Sequence, residues 1–261
     1  MIRYKIIGTF FRLFVYGFLL LPLFIVVCTS VSDTAHIVFP PQGFTLRWFA
    51  EALANRQFMR SVGVSLRVAA ISTCVSTVIG TMISLYFWKV RGYVREFVEI
   101  AFLSPVVVPT VVSAVAFLQF YSRTGAFVNN FTALALSHAV IQIAYVIRTE
   151  TATLYSMDAE FEEASLVLGA SPLRTLFKVT LPCAKRGIIA GAIFAFVVSF
   201  DEAVIVMFLA DARTITYPLR LYSYISEHFN PMVSAFSTIF IFISFVVIVT
   251  VEKTIGLNKV H

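Results

Sequence analysis

Five stretches of the chain carry no charged side chain over the length a helix needs to cross a membrane. They lie between Arg12 and Asp33, Arg67 and Lys89, Glu99 and Arg123, Arg123 and Arg148, and Glu227 and Glu252, each close to the ~20 residues that span hydrocarbon. A sixth apolar stretch, Gly187 to Ala210, contains two acids. The pattern predicts six transmembrane helices, at approximately 12–32, 65–88, 99–121, 127–148, 187–210 and 232–251, in one all-α, polytopic membrane domain over residues 1–261. Composition agrees. With 59% hydrophobic and 13% charged residues and a mean hydropathy of +0.89, the chain cannot present the wet surface of a soluble domain.

Charge decides the orientation. Arg3, Lys5 and Arg12 precede the first apolar run, which is long and lacks a small-x-small cleavage site before Asp33, so it reads as a retained signal-anchor with its N-terminus in the cytoplasm. Six spans then return the C-terminus to the same side. Of the 20 lysines and arginines, the cytoplasmic side receives Arg3, Lys5, Arg12, Lys89, Arg91, Arg95, Arg148, Arg174, Lys178, Lys185, Arg186, Lys253 and Lys259, the larger share. The net charge of +6 is thus a topology signal, and no basic, aromatic-interleaved patch argues for nucleic acid. Cys28, Cys74 and Cys183 fall at different depths and read as small hydrophobes.

The one extended polar segment between late spans, residues 158–182, has the features of a helical hairpin. Glu163 to Leu168 can form a short helix, Gly169 can take the positive φ that closes it, and Ser171-Pro172 is a cap followed by a first-turn proline. Leu166, Leu168, Leu173, Leu176 and Phe177 supply apolar surface with no lipid to bury it, while Glu160, Glu162, Glu163, Arg174 and Lys178 keep the hairpin hydrated. Such a knob suits a groove on a soluble partner. The bland alternative is a loop that packs on its own protein.

Glu163-Ala164-Ser165, three residues, Gly169, nine residues, then Val179-x-Leu181-Pro182 resembles the EAA loop of bacterial ABC importer permeases. Ser165 stands where that family usually has alanine and Val179 where isoleucine is common; both replacements keep size or apolarity. The resemblance implies that this segment is a cytoplasmic coupling helix, with Glu162, Glu163, Ala164, Ser165, Gly169, Ala170, Pro172, Leu181 and Pro182 seated on an ATPase subunit.

Two other regions carry weaker signals. Residues 32–61 form the longest external segment, where Thr45 can cap a short helix with Leu46, Phe49 and Leu53 on one face and Trp48 at headgroup level; Phe39 to Thr45 resembles permeases of the spermidine/putrescine branch. Pro105 and Pro109 predict a kinked third span packed inside the bundle, as a passive bend or as a gating hinge. On the fourth span, His138, Gln142 and Tyr145 share a face that turns from lipid. Helix packing is the favoured role for that histidine over ligand binding.

Ser199-Phe200-Asp201-Glu202 places two acids within the fifth predicted span. Counted from Gly187, Asp201 lies about 21 Å along at ~1.5 Å per residue, beyond the midplane. An ionised side chain in hydrocarbon costs at least ~2.5–3.5 kcal/mol, so both should face water, a partner or a base. The alternatives are a pathway for a cationic solute or a structural role, capping a helix end or pairing with Arg213 or Arg220. Ser-Phe-Asp-Glu resembles the polyamine branch, which implies that the acidic position belongs to the translocation path; Phe200, Asp201, Glu202, Tyr222 and Trp48 are the substrate-pathway candidates, with Tyr217 and Tyr224 as further cation–π candidates.

No phosphate-binding loop, paired metal-ligand spacing or nucleophile elbow is present, so the chain is not read as an enzyme. The resemblance implies half of the translocation pathway of an ATP-driven importer working by alternating access in the bacterial inner membrane. It implies a second permease, identical or homologous, an ATPase dimer holding ATP and Mg, and a periplasmic or extracellular solute-binding protein. This chain would bind no cofactor or metal. A polyamine is the favoured substrate; amino-acid-like or aminophosphonate compounds are alternatives. The competing class is a self-sufficient secondary transporter or channel, which predicts inverted repeats that the sequence does not show.

Overall fold

The computed structural model describes residues 2–90, 92–124, 129–158 and 160–255. Arg91, Ala159, Lys259 and the first residues of the fourth predicted span, 127 and 128, lie outside these. Every regular element among the described residues is helical: α1 (Ile2–Thr29), α2 (Arg47–Ala54), α3 (Arg56–Lys89), α4 (Tyr93–Val107), α5 (Thr110–Thr124), α6 (Asn130–Tyr155), α7 (Glu160–Val167), α8 (Pro172–Thr175), α9 (Leu181–Asp201), α10 (Val204–Leu209), α11 (Tyr217–Glu227) and α12 (Pro231–Ile255), with a π-helical turn, Leu176–Thr180, joining α8 to α9. Among the described residues, four helices are long and apolar enough to cross a membrane: Gly8–Thr29, Arg56–Lys89, Asn130–Tyr155 and Pro172–Asp201. The pair α4 and α5 makes a fifth if taken as one broken span, and Pro231–Val246 is a shorter apolar helix.

The chain divides into two compact units. In the first, residues 1–59 and 221–261, α12 packs on α1 and α2. Thr29 donates to the Ser234 hydroxyl at 3.0 Å, and Phe58 stacks on Phe236 at 4.2 Å. The loop between α1 and α2 folds back on itself, with Asp33 and Thr45 N–H groups bonded to the Gln42 and Val31 carbonyls. Thr45 accepts from the Arg47 N–H at 3.1 Å, but the residue flanking α2 is Leu46, with no side-chain cap. Trp48 is not a headgroup anchor: it is buried, and its indole N–H donates to the Ser32 carbonyl at 2.8 Å. Burial of the ring and satisfaction of its one donor outweigh an interfacial position.

The second unit, residues 60–220, is built around α6, which packs on α9, α4 and α10. On α9, Gly187, Gly191, Ala195 and Ser199 are buried at four-residue spacing, a stripe of small residues that lets two helix backbones come close. The facing side of α6 buries His138, Gln142, Val146 and Glu150 at the same spacing. Polar atoms fill the contact. His138 Nδ1 and the Ser199 hydroxyl are 2.8 Å apart, Gln142 Nε2 donates to the Ala195 carbonyl at 2.8 Å, and α3 joins through Ser72 to Ser199, Ser76 to Gln142 and Thr81 to Glu150. His138 and Gln142 are therefore packing residues.

Where the sequence predicts a kinked third span, the helix breaks outright: α4 and α5 meet at 105°. Pro109 disfavours helical geometry in the residue before it, and Val108 is extended, with φ −73° and ψ 132°. Pro105 stays inside α4. It has no N–H for the Ala101 carbonyl, and the Ser104 hydroxyl donates to that oxygen instead, at 2.8 Å.

The α6–α9 contact generates a test. A Cβ on Gly187 would lie 2.5 Å from Thr153 Oγ1 and 2.6 Å from its Cβ, whereas one on Gly191 meets nothing nearer than 3.5 Å. Gly187→Ala is expected to destabilise the protein by about 1–3 kcal/mol through overpacking. Gly191→Ala should leave the melting temperature in detergent close to wild type. Equal melting temperatures for the two variants would count against this packing.

Candidate functional site

The segment 160–182 folds as a helix, a bend and a helix. Glu160, Glu162 and Glu163 occupy the first turn of α7, where carboxylates suit the positive end of the helix dipole. Gly169, at φ +86°, ends it. The Ala170 N–H bonds to the Ser165 carbonyl and the Gly169 N–H to the Leu166 carbonyl, the paired closure of a Schellman motif, which places its glycine in the left-handed region. Ser171 accepts from the Arg174 N–H and Pro172 occupies the first turn of α8. The hydroxyl of Ser165, in the position where alanine is usual, is used: it bonds to Thr175 at 2.9 Å across the hairpin.

The outer surface is apolar and uncovered. Val167 and Leu168 are 86% and 87% exposed, and Phe161, Leu166, Leu173 and Phe177 are exposed with them. Beneath, Ala164, Ser165, Leu168, Ala170, Val179 and Pro182 line much of an open groove of about 480 Å³. Pro182 lacks the N–H that would bond to the Lys178 carbonyl. The helix accommodates it by a π-helical turn, in which the Leu181 N–H bonds to the Leu176 carbonyl five residues back. The hairpin thus continues into α9, and Leu181 and Pro182 mark the join.

The second candidate, the pair of acids, does not sit within a continuous span. The helix containing α9 begins at Pro172 and ends at Asp201. From Leu181 to Asp201 the rise is about 30 Å at ~1.5 Å per residue, the full hydrocarbon thickness. Asp201 thus stands at a helix end and is exposed. Glu202 is extended, and its Oε1 accepts from the Val204 N–H at 2.7 Å and the Ile205 N–H at 3.1 Å. That carboxylate starts α10, whose Ile205, Val206 and Leu209 enter a core with Val64, Val68, Leu134 and Ile141. Among the described residues, no ion pair joins either acid to Arg213 or Arg220.

Phe200 lies between two rings, 6.2 Å from Phe196 and 6.2 Å from Tyr217. Tyr222 is exposed, and Tyr224 stacks on His228 at 4.8 Å; Trp48 and Tyr222 belong to the first unit, Phe200, Asp201 and Glu202 to the second. Outside the spans, Asp211 accepts from Thr214 Oγ1 at 2.7 Å, and that bond, first among several, holds its carboxyl below the ordinary range. Sequence reasoning passes over Glu150. It is buried in α6, with Oε1 taking the Thr81 hydroxyl at 2.9 Å and Oε2 without a partner. The four-residue rhythm of Gly187, Gly191, Ala195 and Ser199 was the available signal for a close helix contact there.

Residues 76–253 match the family of binding-protein-dependent transport system inner membrane components. The chain belongs to that family. Among its relatives, the spermidine/putrescine transport system permease protein PotC of Escherichia coli K12 is 28% identical over 237 residues, covering 90% of this chain and 88% of that one. The putrescine transport system permease protein PotI of the same strain is 28% identical over 231 residues, covering 86% and 82%. The fold is shared with solved permeases. A bacterial alginate ABC transporter in complex with its alginate pentasaccharide-bound periplasmic protein has a TM-score of 0.72 at 15% identity, covering 96% of this chain and 93% of that one. The MetNI methionine ABC transporter has a TM-score of 0.63 at 17% identity, covering 76% and 94%. The permease is thus a multi-pass membrane component of a transport system, homologous to polyamine permeases.

The cap made by Glu202 separates its structural role from any contact with solute. Glu202→Gln keeps an acceptor for the two N–H groups, whereas Glu202→Ala removes it at a cost of about 1 kcal/mol. The alanine variant of the permease should melt lower than the glutamine variant in detergent. A glutamine variant as unstable as the alanine one would deny the cap.

Proposed function

We propose that the permease is one of two membrane subunits of an ATP-driven polyamine importer, each supplying half of the pathway, and that the hairpin of α7 and α8 seats on an ATPase subunit. The observation that carries this is the hairpin itself. A rigid, glycine-closed knob with an uncovered apolar crest, extending directly into α9, is built to be held by a soluble partner and to hand its movement to a membrane helix. ATP and Mg belong to that partner, which supplies the hydrolysis. A second permease and a solute-binding protein complete the assembly. The topology proposed is six spans, with α4 and α5 as one broken span and α12 as the last, and both termini cytoplasmic, as the basic residues favour.

The substrate reading rests on the polyamine relatives and on Asp201. An exposed carboxylate at the end of a membrane-length helix, next to the Phe196–Phe200–Tyr217 rings, offers a cationic amine a countercharge near aromatic faces. Alternating access then needs no covalent step. Closure of the ATPase pair moves the hairpins, α9 moves with them, and the pathway beside the acid opens to one side of the membrane and then to the other.

Two substitutions test the reading separately. Gly169→Val places a β-branched residue at φ +86°, a strain on the order of 1–3 kcal/mol at the bend, and should abolish ATP-driven uptake while membrane insertion persists; full uptake by this variant contradicts docking through the hairpin. Asp201→Asn keeps shape and removes charge, and should lower uptake of spermidine and putrescine about tenfold or more, the worth of one lost charge contact, with assembly unchanged. Wild-type polyamine uptake across a range of concentrations would show that Asp201 does not meet the solute.

A further inference from the structure

Two consecutive acids on α7 have opposite fates. Glu163 is exposed and, among the described residues, in no ion pair. Glu162 turns back on its own chain, where Lys89 Nζ donates to its Oε1 at 2.6 Å; its side chain is 14% exposed against 49% for the lysine. Apart from this bond, α7 packs mainly on α8 and the π-helical turn, within its own hairpin. That hairpin is a closed body, tied at Gly169 by the Schellman bonds and across its width by Ser165 and Thr175.

Lys89 is the last residue of α3, a position where the negative end of the helix dipole favours a cation. It sits two residues beyond a packed node. Phe87 is buried with Ile143 and Ile147 of α6, and Val98, Phe102 and Leu103 of α4 pack against them. The Tyr155 hydroxyl donates to the Phe87 carbonyl at 3.3 Å, and the Arg95 guanidinium lies over the rings of both Phe87 and Tyr155, at 5.9 and 5.6 Å. One ion pair therefore connects the hairpin to the meeting point of α3, α4 and α6. From there α3 carries the hydroxyls that bond to α6 and α9.

We propose that Lys89 and Glu162 are positioning residues, the joint through which movement of the hairpin reaches α3, and that of the two acids only Glu163 faces the ATPase subunit. The inference rests on the proposed docking of the hairpin. A half-exposed ion pair adds little to folding stability, so its loss shows in coupling, not in melting temperature. The hairpin has two connections to the membrane helices by this account: the covalent one through the π-helical turn into α9, and the electrostatic one into α3. With both in place a displacement of the hairpin moves α3 and α9 together. With the ion pair reversed it moves α9 alone.

The test uses the complete transporter, with its ATPase, second permease and binding protein, reconstituted in vesicles and carrying a photo-cross-linker at Leu168, on the exposed crest. Lys89→Glu and Glu162→Lys should each lower the uptake obtained per ATP hydrolysed by about threefold or more, with the cross-link to the ATPase and the melting temperature retained. The double reversal should recover most of it, and Lys89→Arg should behave as wild type. Glu163→Lys should instead weaken the cross-link, and Lys89→Glu should not rescue it. Wild-type coupling in the single reversals, or no recovery in the double, overturns the joint while the cross-link still upholds docking. Absence of the cross-link in the otherwise wild-type transporter overturns docking, and the joint with it.

Discussion

The second unit depends on how closely α6 and α9 approach. Lipid tails are as apolar as leucine, so two helices in a bilayer gain little by hiding hydrophobic surface from each other; they associate by backbone proximity and by the polar groups that proximity satisfies. Gly187, Gly191 and Ala195 supply the proximity. It brings Gln142 Nε2 within 2.8 Å of a main-chain carbonyl of α9 and His138 within 2.8 Å of Ser199. A side chain at Gly187, where a Cβ would lie 2.5 Å from Thr153 Oγ1, would push the helices apart and strand those groups, each of which is expensive to leave unpaired in hydrocarbon. With α6 and α9 fixed, α3 takes its place through hydroxyls spaced along it, and α10 enters the core against α3 and α6.

The helix interruptions are handled in different local ways. At Pro105 the Ser104 hydroxyl takes the freed carbonyl, and the helix continues. At Pro182 the helix widens for one turn, with the Leu181 N–H bonded to the Leu176 carbonyl. At Glu202 a carboxylate takes two N–H groups, and a new helix starts. At Pro109, where the preceding residue is extended, the chain turns through 105°.

The hairpin is held by different physics. Its stability comes from closure at Gly169, from the Ser171 cap and from the hydroxyl pair of Ser165 and Thr175. Val167 and Leu168 are left exposed on its crest. The fold shared with the alginate and methionine transporters, at identities of 15% and 17%, shows that this architecture survives wide divergence of sequence.

Much of the local structure was legible in the residues. The hairpin could be read because each of its corners has a residue whose intrinsic geometry requires it: Gly169 for a positive φ, Ser171 for a cap, Pro172 for a first turn. The apolar runs marked most of the membrane-length helices because hydrocarbon thickness sets a length that composition reports. Residue types did not reveal which polar group meets which. Trp48 looked interfacial until its donor found Ser32; Glu202 had a solute pathway, a helix cap and an arginine partner all open to it until its carboxylate was seen to cap a helix; Glu162 looked like its neighbour Glu163 until Lys89 took it. In each case a local pattern permits several partners, and packing selects one by bringing a distant segment within hydrogen-bond range. Sequence therefore determined where helices begin, bend and carry charge, because those choices are made by a residue and its nearest neighbours. Tertiary structure alone decided which charges are spent on the fold and which are left exposed, because that depends on distances between segments that no local geometry contains.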